Sequence, residues 1–327
     1  MPISVRSLSV DHAEAAACLV RDRLAALRRS VPELSESCGF PDTLAARIAR
    51  LAGRGPGIAA SDGEKLVGFL GALPIHYAGR SSMLSPEWGN GTALEIGPEA
   101  TRQVFEALYT KAAEEWTAGA VETHLLCLLA NDAASLETVS WLGFGRVVCD
   151  ATRPLAPVAQ KQSTCSVRRA DPGDAGFVFD LDGRLHAHLA SSPTLLPHGE
   201  PEDVGWWAAR LSDPRVAIWI AETPTDTVGY LIQGPATDDA CDLIVDPGTS
   251  SITGAYVLPE ARCGGIATTL LARAVEWARE QGYARLSVDF ETANIEGARF
   301  WLSHFRPVVM SFARTIRANE NPGQAEA

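Results

Sequence analysis

The chain has 327 residues, 46% of them apolar and 21% charged, a globular composition long enough for two domains of ordinary size. Its formal charge of −12 argues against nucleic acid or an anionic membrane as partner, because both need a basic field, and suits a cationic or neutral small substrate. No apolar run approaches the roughly 20 residues of a membrane span, the start MPISVRSLSV lacks a signal-peptide core, and seven scattered cysteines without a C-x-x-C pair read as reduced thiols, not as a disulfide or zinc framework; the expectation is a cytoplasmic protein without a metal, monomeric or homodimeric.

Short matches recur along the chain at a nearly constant distance. Ser4-Val5-Arg6 returns as Ser166-Val167-Arg168, Ile58-Ala59 as Ile220-Ala221, and Val67-Gly68-Phe69-Leu70 as Val228-Gly229-Tyr230-Leu231. Pro98-Glu99-Ala100 returns as Pro259-Glu260-Ala261, Trp116 as Trp277, and Ala130-Asn131 as Ala293-Asn294, with offsets of 161 to 163 throughout. Matches in one order at one offset point to an internal duplication. The expected division is a first domain over 1–153, a Pro-containing linker over 154–163, a second domain over 164–318 and a disordered tail over 319–327.

In the second copy, Cys165 to Arg169 reads as a strand, and Asp171-Pro172-Gly173-Asp174 as a turn that caps a helix starting near Ala175. Leu185-His186-Ala187-His188 carries a histidine pair without a third ligand at useful spacing, so it reads as helix surface or pocket wall; Trp206 and Trp207 read as ordinary core or lid residues. Ala217 to Ala221 and Val228 to Gln233 are strands of a hairpin around Thr223-Pro224-Thr225-Asp226. Asp242 to Val245 and Ile252 to Leu258 read as the ends of the next strand or strands. Apolar positions Leu270, Leu271, Ala274, Val275 and Ala278 give a helix over 267–281 that stops at Gly282. A strand over 285–290, a helix over 295–303 and a strand over 307–316 complete a mixed α/β (α+β) order.

The sharpest local feature lies between a strand and a helix: Val257-Leu258-Pro259-Glu260-Ala261-Arg262-Cys263-Gly264-Gly265-Ile266-Ala267. A glycine-rich turn at a helix start exposes unpaired backbone N–H groups, and the helix dipole adds positive potential, so such a turn binds phosphate. Gly264 and Gly265 permit close approach of a diphosphate, and Arg262 can add charge. It is neither a Walker loop nor a dinucleotide fingerprint.

This stretch resembles motif A of the GNAT acyltransferases, (Q/R)-x-x-G-x-(G/A), here on Arg262, Gly265 and Ala267. The segment Ser287 to Trp301 resembles motif B, with Asn294, then Gly297 or Ala298, then Trp301 where the family usually has Tyr. The resemblance implies two tandem GNAT-like domains, an acetyl-CoA co-substrate, and a small-molecule primary amine as acceptor. It implies that Tyr256, Val257 and Leu258 hold the pantetheine. Arg262, Cys263, Gly264, Gly265, Ile266, Ala267 and Thr268 would hold the pyrophosphate, with Asn294 and Trp301 beside them. Two departures bear on the chemistry. The indole of Trp301 cannot replace an acidic phenol, and the strand before the loop lacks the family's frequent Glu.

Deprotonating an ammonium of pKa about 10.4 near pH 7 costs roughly 4–5 kcal/mol, so a base is needed. Asp289 and Glu291, two apart on one strand, share a face with Ser287 and are the candidate bases; Tyr256 is the candidate acid. An acidic solvated face is the plainer reading of the two carboxylates. In the first copy, the constant offset sets Thr101, Gln103, Val104 and Glu106 opposite Arg262, Gly264, Gly265 and Ala267, a loop without glycine in which Glu106 would repel phosphate. Asn131 to Phe144 still resembles motif B. The expectation is an N-acetyltransferase active in its second half, with a non-catalytic CoA-binding or sensing protein as the alternative.

Overall fold

The computed structural model describes residues 3–35, 43–159, 165–197, 202–237 and 241–316. Its chain falls into two compact units, the first built from residues up to 32 with 40–148 and 308 onward, the second from 33–39 and 149–307. The tail over 319–327 and residues 160–163 of the linker lie outside the described residues.

In the first unit, β1 (Ile3–Ser7) leads to α1 (Ala13–Ser30) and α2 (Leu44–Arg54), then to β2 (Gly57–Asp62) and β3 (Lys65–Gly71). A hairpin of β4 (Leu73–Tyr77) and β5 (Arg80–Ser85) follows, and then β6 (Asn90–Thr92), α3 (Gly97–Ala118), β7 (Thr123–Leu129), α4 (Ala133–Trp141) and the start of β8 (Gly145–Pro154). Strands β1-β2-β3-β6 pair in that order, and β4-β5-β7 continue into the last strand of the chain, described below. Phe105, Leu108, Tyr109 and Trp116 on one face of α3 are buried against Ile58, Leu70 and Leu126 of the strands, so the helical repeat meets the pleated one in a single apolar core.

The second unit takes the rest of β8, then β9 (Ser166–Arg169), α5 (Ala175–Ala190), α6 (Val204–Ser212), β10 (Ala217–Glu222) and β11 (Thr227–Pro235). After these come β12 (Thr249–Val257), α7 (Ile266–Glu280), β13 (Arg285–Glu291) and α8 (Ile295–His304), and the chain ends its described part with β14 (Arg306–Thr315). The hairpin turn is where the sequence placed it, closed by Thr223 N–H to Asp226 O at 2.8 Å. The helical spacing of α7 also holds: Leu270, Leu271, Ala274, Val275 and Ala278 are all buried. The helix stops at Gly282, whose φ of 81° allows the closing bond from Tyr283 N–H to Ala278 O at 2.9 Å.

Three expectations change. Asp242 to Val245 forms a turn, not a strand end, and β12 is one uninterrupted strand from Thr249. β14, read from sequence as the second copy's last strand, groups with the first unit from residue 308 onward, where Val309 to Thr315 pair antiparallel with Leu129 to Thr123 of β7. Residues 149–154 of β8 group instead with the second unit, where Thr152 Oγ1 donates to Leu286 O at 2.8 Å.

The third change concerns the first unit's helix. Setting Trp116 opposite Trp277 brings Gly97 opposite Leu258 and Val104 opposite Gly265, yet α3 is already helical at Gly97 while α7 begins only at Ile266. The residues matching the glycine loop are thus two turns of helix. Glu106 pairs with Arg102 at 2.9 Å along that helix and does not guard a phosphate site; the amides that a phosphate would need are held in the helix itself.

Candidate active site

The site of the second unit begins with a strand that outruns its neighbour. β12 pairs in parallel with β13 from Thr249↔Arg285 to Ile252↔Val288, where the ladder ends. On its other edge β12 stays paired with β11 as far as Gly229↔Val257, with a bulge that leaves Thr253 between Ile252 and Gly254. A bulge bends its strand and raises the local twist, and here β12 and β13 part directly after it. From Thr253 to Val257, β12 therefore offers an edge without a ladder partner, able to pair an extended amide-bearing ligand. Gly254 fits because a Cβ there would lie 3.0 Å from the Ile232 side chain and 3.1 Å from Tyr230 Oη.

The loop follows at once. Cys263 and Gly265 have φ of 65° and 79°, left-handed values that cost a residue with a Cβ on the order of 1 kcal/mol and that glycine takes freely. Gly265 is the N-cap of α7 and carries no side-chain cap. The first bond of the helical ladder is Thr269 N–H to Gly265 O at 3.0 Å, so the amides of Ile266, Ala267 and Thr268 precede it, aligned with the helix dipole. Asn294 caps α8, accepting from Gly297 N–H at 3.2 Å, and a Cβ at Gly297 would meet that amide group at 2.6 Å.

These elements surround a cavity of about 410 Å³, within the size range of small-molecule sites. Of the residues expected at the cofactor, Tyr256, Val257, Arg262, Cys263 and Gly265 line it, and so do Ile266, Ala267, Thr268, Asn294 and Trp301. Leu258 and Gly264 do not. Trp301 is buried and packs edge-on against Phe300 at 4.9 Å. Arg262 crosses the cavity: its Nε donates to Val257 O at 3.0 Å, its Nη1 pairs with Glu296, and its guanidinium lies 5.5 Å from the Tyr256 ring centre. His188 also lines the cavity, 3.4 Å from Asn294 Oδ1 and 6.1 Å, ring to ring, from Tyr256. His186 turns to Asp182 Oδ2 at 3.1 Å, and Trp207 is buried in the core beside α5. No group of three metal-ligating side chains occurs among the described residues.

Asp289 and Glu291 are not among the residues lining this cavity. Asp289 is exposed and is the first residue of β13 beyond its last rung with β12; on the same face Ser287 hydrogen-bonds Ser251 at 2.6 Å. Burial raises the pKa of Glu291, helped by the charge of Asp289. Asp150, on β8, belongs to this group although no local pattern marks it. It is buried, accepts from Cys241 N–H at 3.3 Å, and is pushed up to about 7 by burial and by Asp289. Tyr230 and Glu296, which also line the cavity, likewise went unnoticed. Tyr230 lies within a plain strand pattern, its hydroxyl donating to Asp182 at 2.6 Å, and Glu296 reads as an ordinary first-turn carboxylate.

Residues 181–305 match the acetyltransferase (GNAT) family, a span that contains the splayed strands, the loop and the cavity. Among solved structures, the chain resembles a GCN5-related N-acetyltransferase from Sphaerobacter thermophilus, with 16% identity, 96% of each chain covered and a TM-score of 0.54. At that identity the likeness shows the fold, along almost the whole chain. A GCN5-related N-acetyltransferase from Kribbella flavida is similar at 14% identity, over 96% of this chain and 71% of that one, with a TM-score of 0.39. No curated protein matches the chain by sequence.

Proposed function

We propose that this chain, an acyltransferase with a GNAT acetyltransferase domain at residues 181–305, moves the acetyl group of acetyl-CoA to a primary amine of a small molecule in its second half alone, and that its first half is a diverged copy of the same fold. The observation that carries this reading is the meeting of a free strand edge with an uncapped helix start in one cavity. The edge from Thr253 to Val257 suits the amides of a pantetheine arm, and the amides of Ile266, Ala267 and Thr268 suit a diphosphate. The acetyl thioester then lies toward the point where β12 and β13 separate.

The amine nitrogen attacks the thioester carbonyl, a C–N bond forms, the C–S bond breaks and the thiolate leaves. Asp289 stands at the separation point and is the first choice to take the amine proton, directly or through water. Glu291 is the second, and its raised pKa brings it nearer to the working pH of a base. Tyr256, which lines the cavity, is the candidate to return a proton to the thiolate. The net negative charge of the chain favours a cationic acceptor. A CoA sensor without turnover is the second reading, supported by Trp301 standing where the family usually has Tyr.

Release of free thiol from acetyl-CoA, measured with a panel of small primary amines, separates the two. An enzyme releases thiol in proportion to amine, and Asp289→Asn lowers that rate by about 10²–10⁴ with CoA affinity kept. Binding of CoA without release for any amine would leave the sensor.

A further inference from the structure

Both units cover one backbone carbonyl with an arginine, in two different ways. Thr92 at the end of β6 faces Gly68 of β3, and Val257 at the end of β12 faces Gly229 of β11; Gly68 and Gly229 belong to one of the repeated matches, so the two carbonyls correspond. In the first unit Arg23, from α1, donates from Nε to Thr92 O at 2.5 Å, reaches Thr92 Oγ1 with Nη2 and pairs with Asp132 through Nη1. That arginine is buried, its side chain 7% exposed. In the second unit Arg262 donates from Nε to Val257 O and pairs with Glu296. Here the partners reach the surface, with Arg262 25% and Glu296 64% exposed, and all three groups line the cavity.

Val257 O is the last acceptor on the free edge of β12. While Arg262 donates to it from the cavity side, the guanidinium competes with the amide of a pantetheine arm for that oxygen. Moving Arg262 away forfeits a carbonyl and a carboxylate, and only a ligand that offers the guanidinium new anionic oxygens makes that exchange even. A diphosphate at the loop amides does so; a pantetheine arm alone does not.

We propose that Arg262, held across the cavity by Glu296, is a specificity latch that makes recognition of a pantetheine arm conditional on a diphosphate, so the domain selects CoA thioesters over pantetheine thioesters lacking it. This rests on the cavity being the CoA site. Glu296 then sets affinity by competing with the diphosphate for Arg262, although it touches no reacting atom.

The test compares full-length wild type, Arg262→Leu and Glu296→Gln, with CoA followed by calorimetry and pantetheine by NMR shift titration. The latch predicts shifts of opposite sign in Arg262→Leu: CoA binds about tenfold more weakly or worse, and pantetheine binds severalfold more tightly because Val257 O is open. Glu296→Gln keeps the arginine but loosens it, and CoA affinity rises about 2–5-fold, the reach of an exposed ion pair. An arginine that merely touches phosphate would weaken CoA and leave pantetheine unmoved. That result, or a Glu296→Gln variant whose CoA affinity is unchanged or lower, overturns the latch while leaving the CoA site intact. Failure of the wild type to bind CoA would remove the functional reading itself, and the latch with it.

Discussion

Where the second half runs as a loop from Leu258 to Gly265, the first half is already a helix from Gly97. Where β12 and β13 part after a shared ladder, β6 and β7 lie in separate sheets and are joined by the side chain of Asn90. The single bulged residue of β12 is matched by a four-residue detour, Pro86 to Gly89, with Glu87 and Trp88 buried. Asn90 then sends its amide to Cys127 O at 3.0 Å and Pro86 O at 2.9 Å. Arg23 likewise covers Thr92 O, whereas the first turn of α3 carries no side-chain cap. Away from these points the halves keep the same devices. Trp116 and Trp277 are both buried, and Asp132 caps α4 as Asn294 caps α8. The two halves thus keep similar cores while their strand-end hydrogen bonds go to different partners.

The most drastic way to break the comparison is to cut the chain at the linker. Residues 164–327 lack 149–154, where Ala151 and Thr152 are fully buried in the second unit, and they keep β14 without its partner β7. Such a fragment is expected to be insoluble or to lose cooperative unfolding; a soluble monomer with the full-length rate would show the first half to be dispensable.

A smaller effect separates the two arginines. Arg23→Met leaves Asp132 and Thr92 O without their buried partner and should cost about 3–5 kcal/mol in denaturant unfolding, while CoA affinity stays at the wild-type value. A loss of CoA affinity equal to that of Arg262→Leu would contradict separate roles for the two halves.

The smallest effect is one of pH. The folded state holds the Asp150 carboxyl at about 7 against an ordinary value of 3.8, so between those values the native state binds more protons than the unfolded one. This group's contribution to stability therefore falls as pH rises from about 4 to 7. Asp150→Asn removes that slope, and unfolding midpoints at pH 5 and 8 should converge relative to wild type. Equal slopes in both proteins would mean that Asp150 is ionised throughout.

Much of this was legible in the sequence because it rests on local rules. The spacing of α7, the stop at Gly282 and the hairpin at Thr223 to Asp226 are short-range signals, and the glycines of the loop mark a turn at a helix start by backbone freedom alone. The exchange of strand ends was not legible, because β14 fits either half by pattern and only long-range pairing decides where it goes. Asp150 was missed for the same reason: it lies on the first copy's side of the repeat, and no local rule carries it to β13. The fate of the first half's loop was misread through Glu106, since a constant offset compares residues and not the conformations they adopt; the run from Pro98 to Val104 without a glycine was the available sign. Arg23 and Arg262 meet corresponding carbonyls from unrelated places in the chain, a convergence that only coordinates reveal.

The central claim is that one half binds acetyl-CoA and the other does not. Calorimetric titration of the full chain with CoA tests it most directly, and the expected stoichiometry is one molecule per chain, abolished by Gly265→Glu, which sets a side chain and a negative charge on the helix start. Two molecules per chain, or binding that survives Gly265→Glu, would contradict the account.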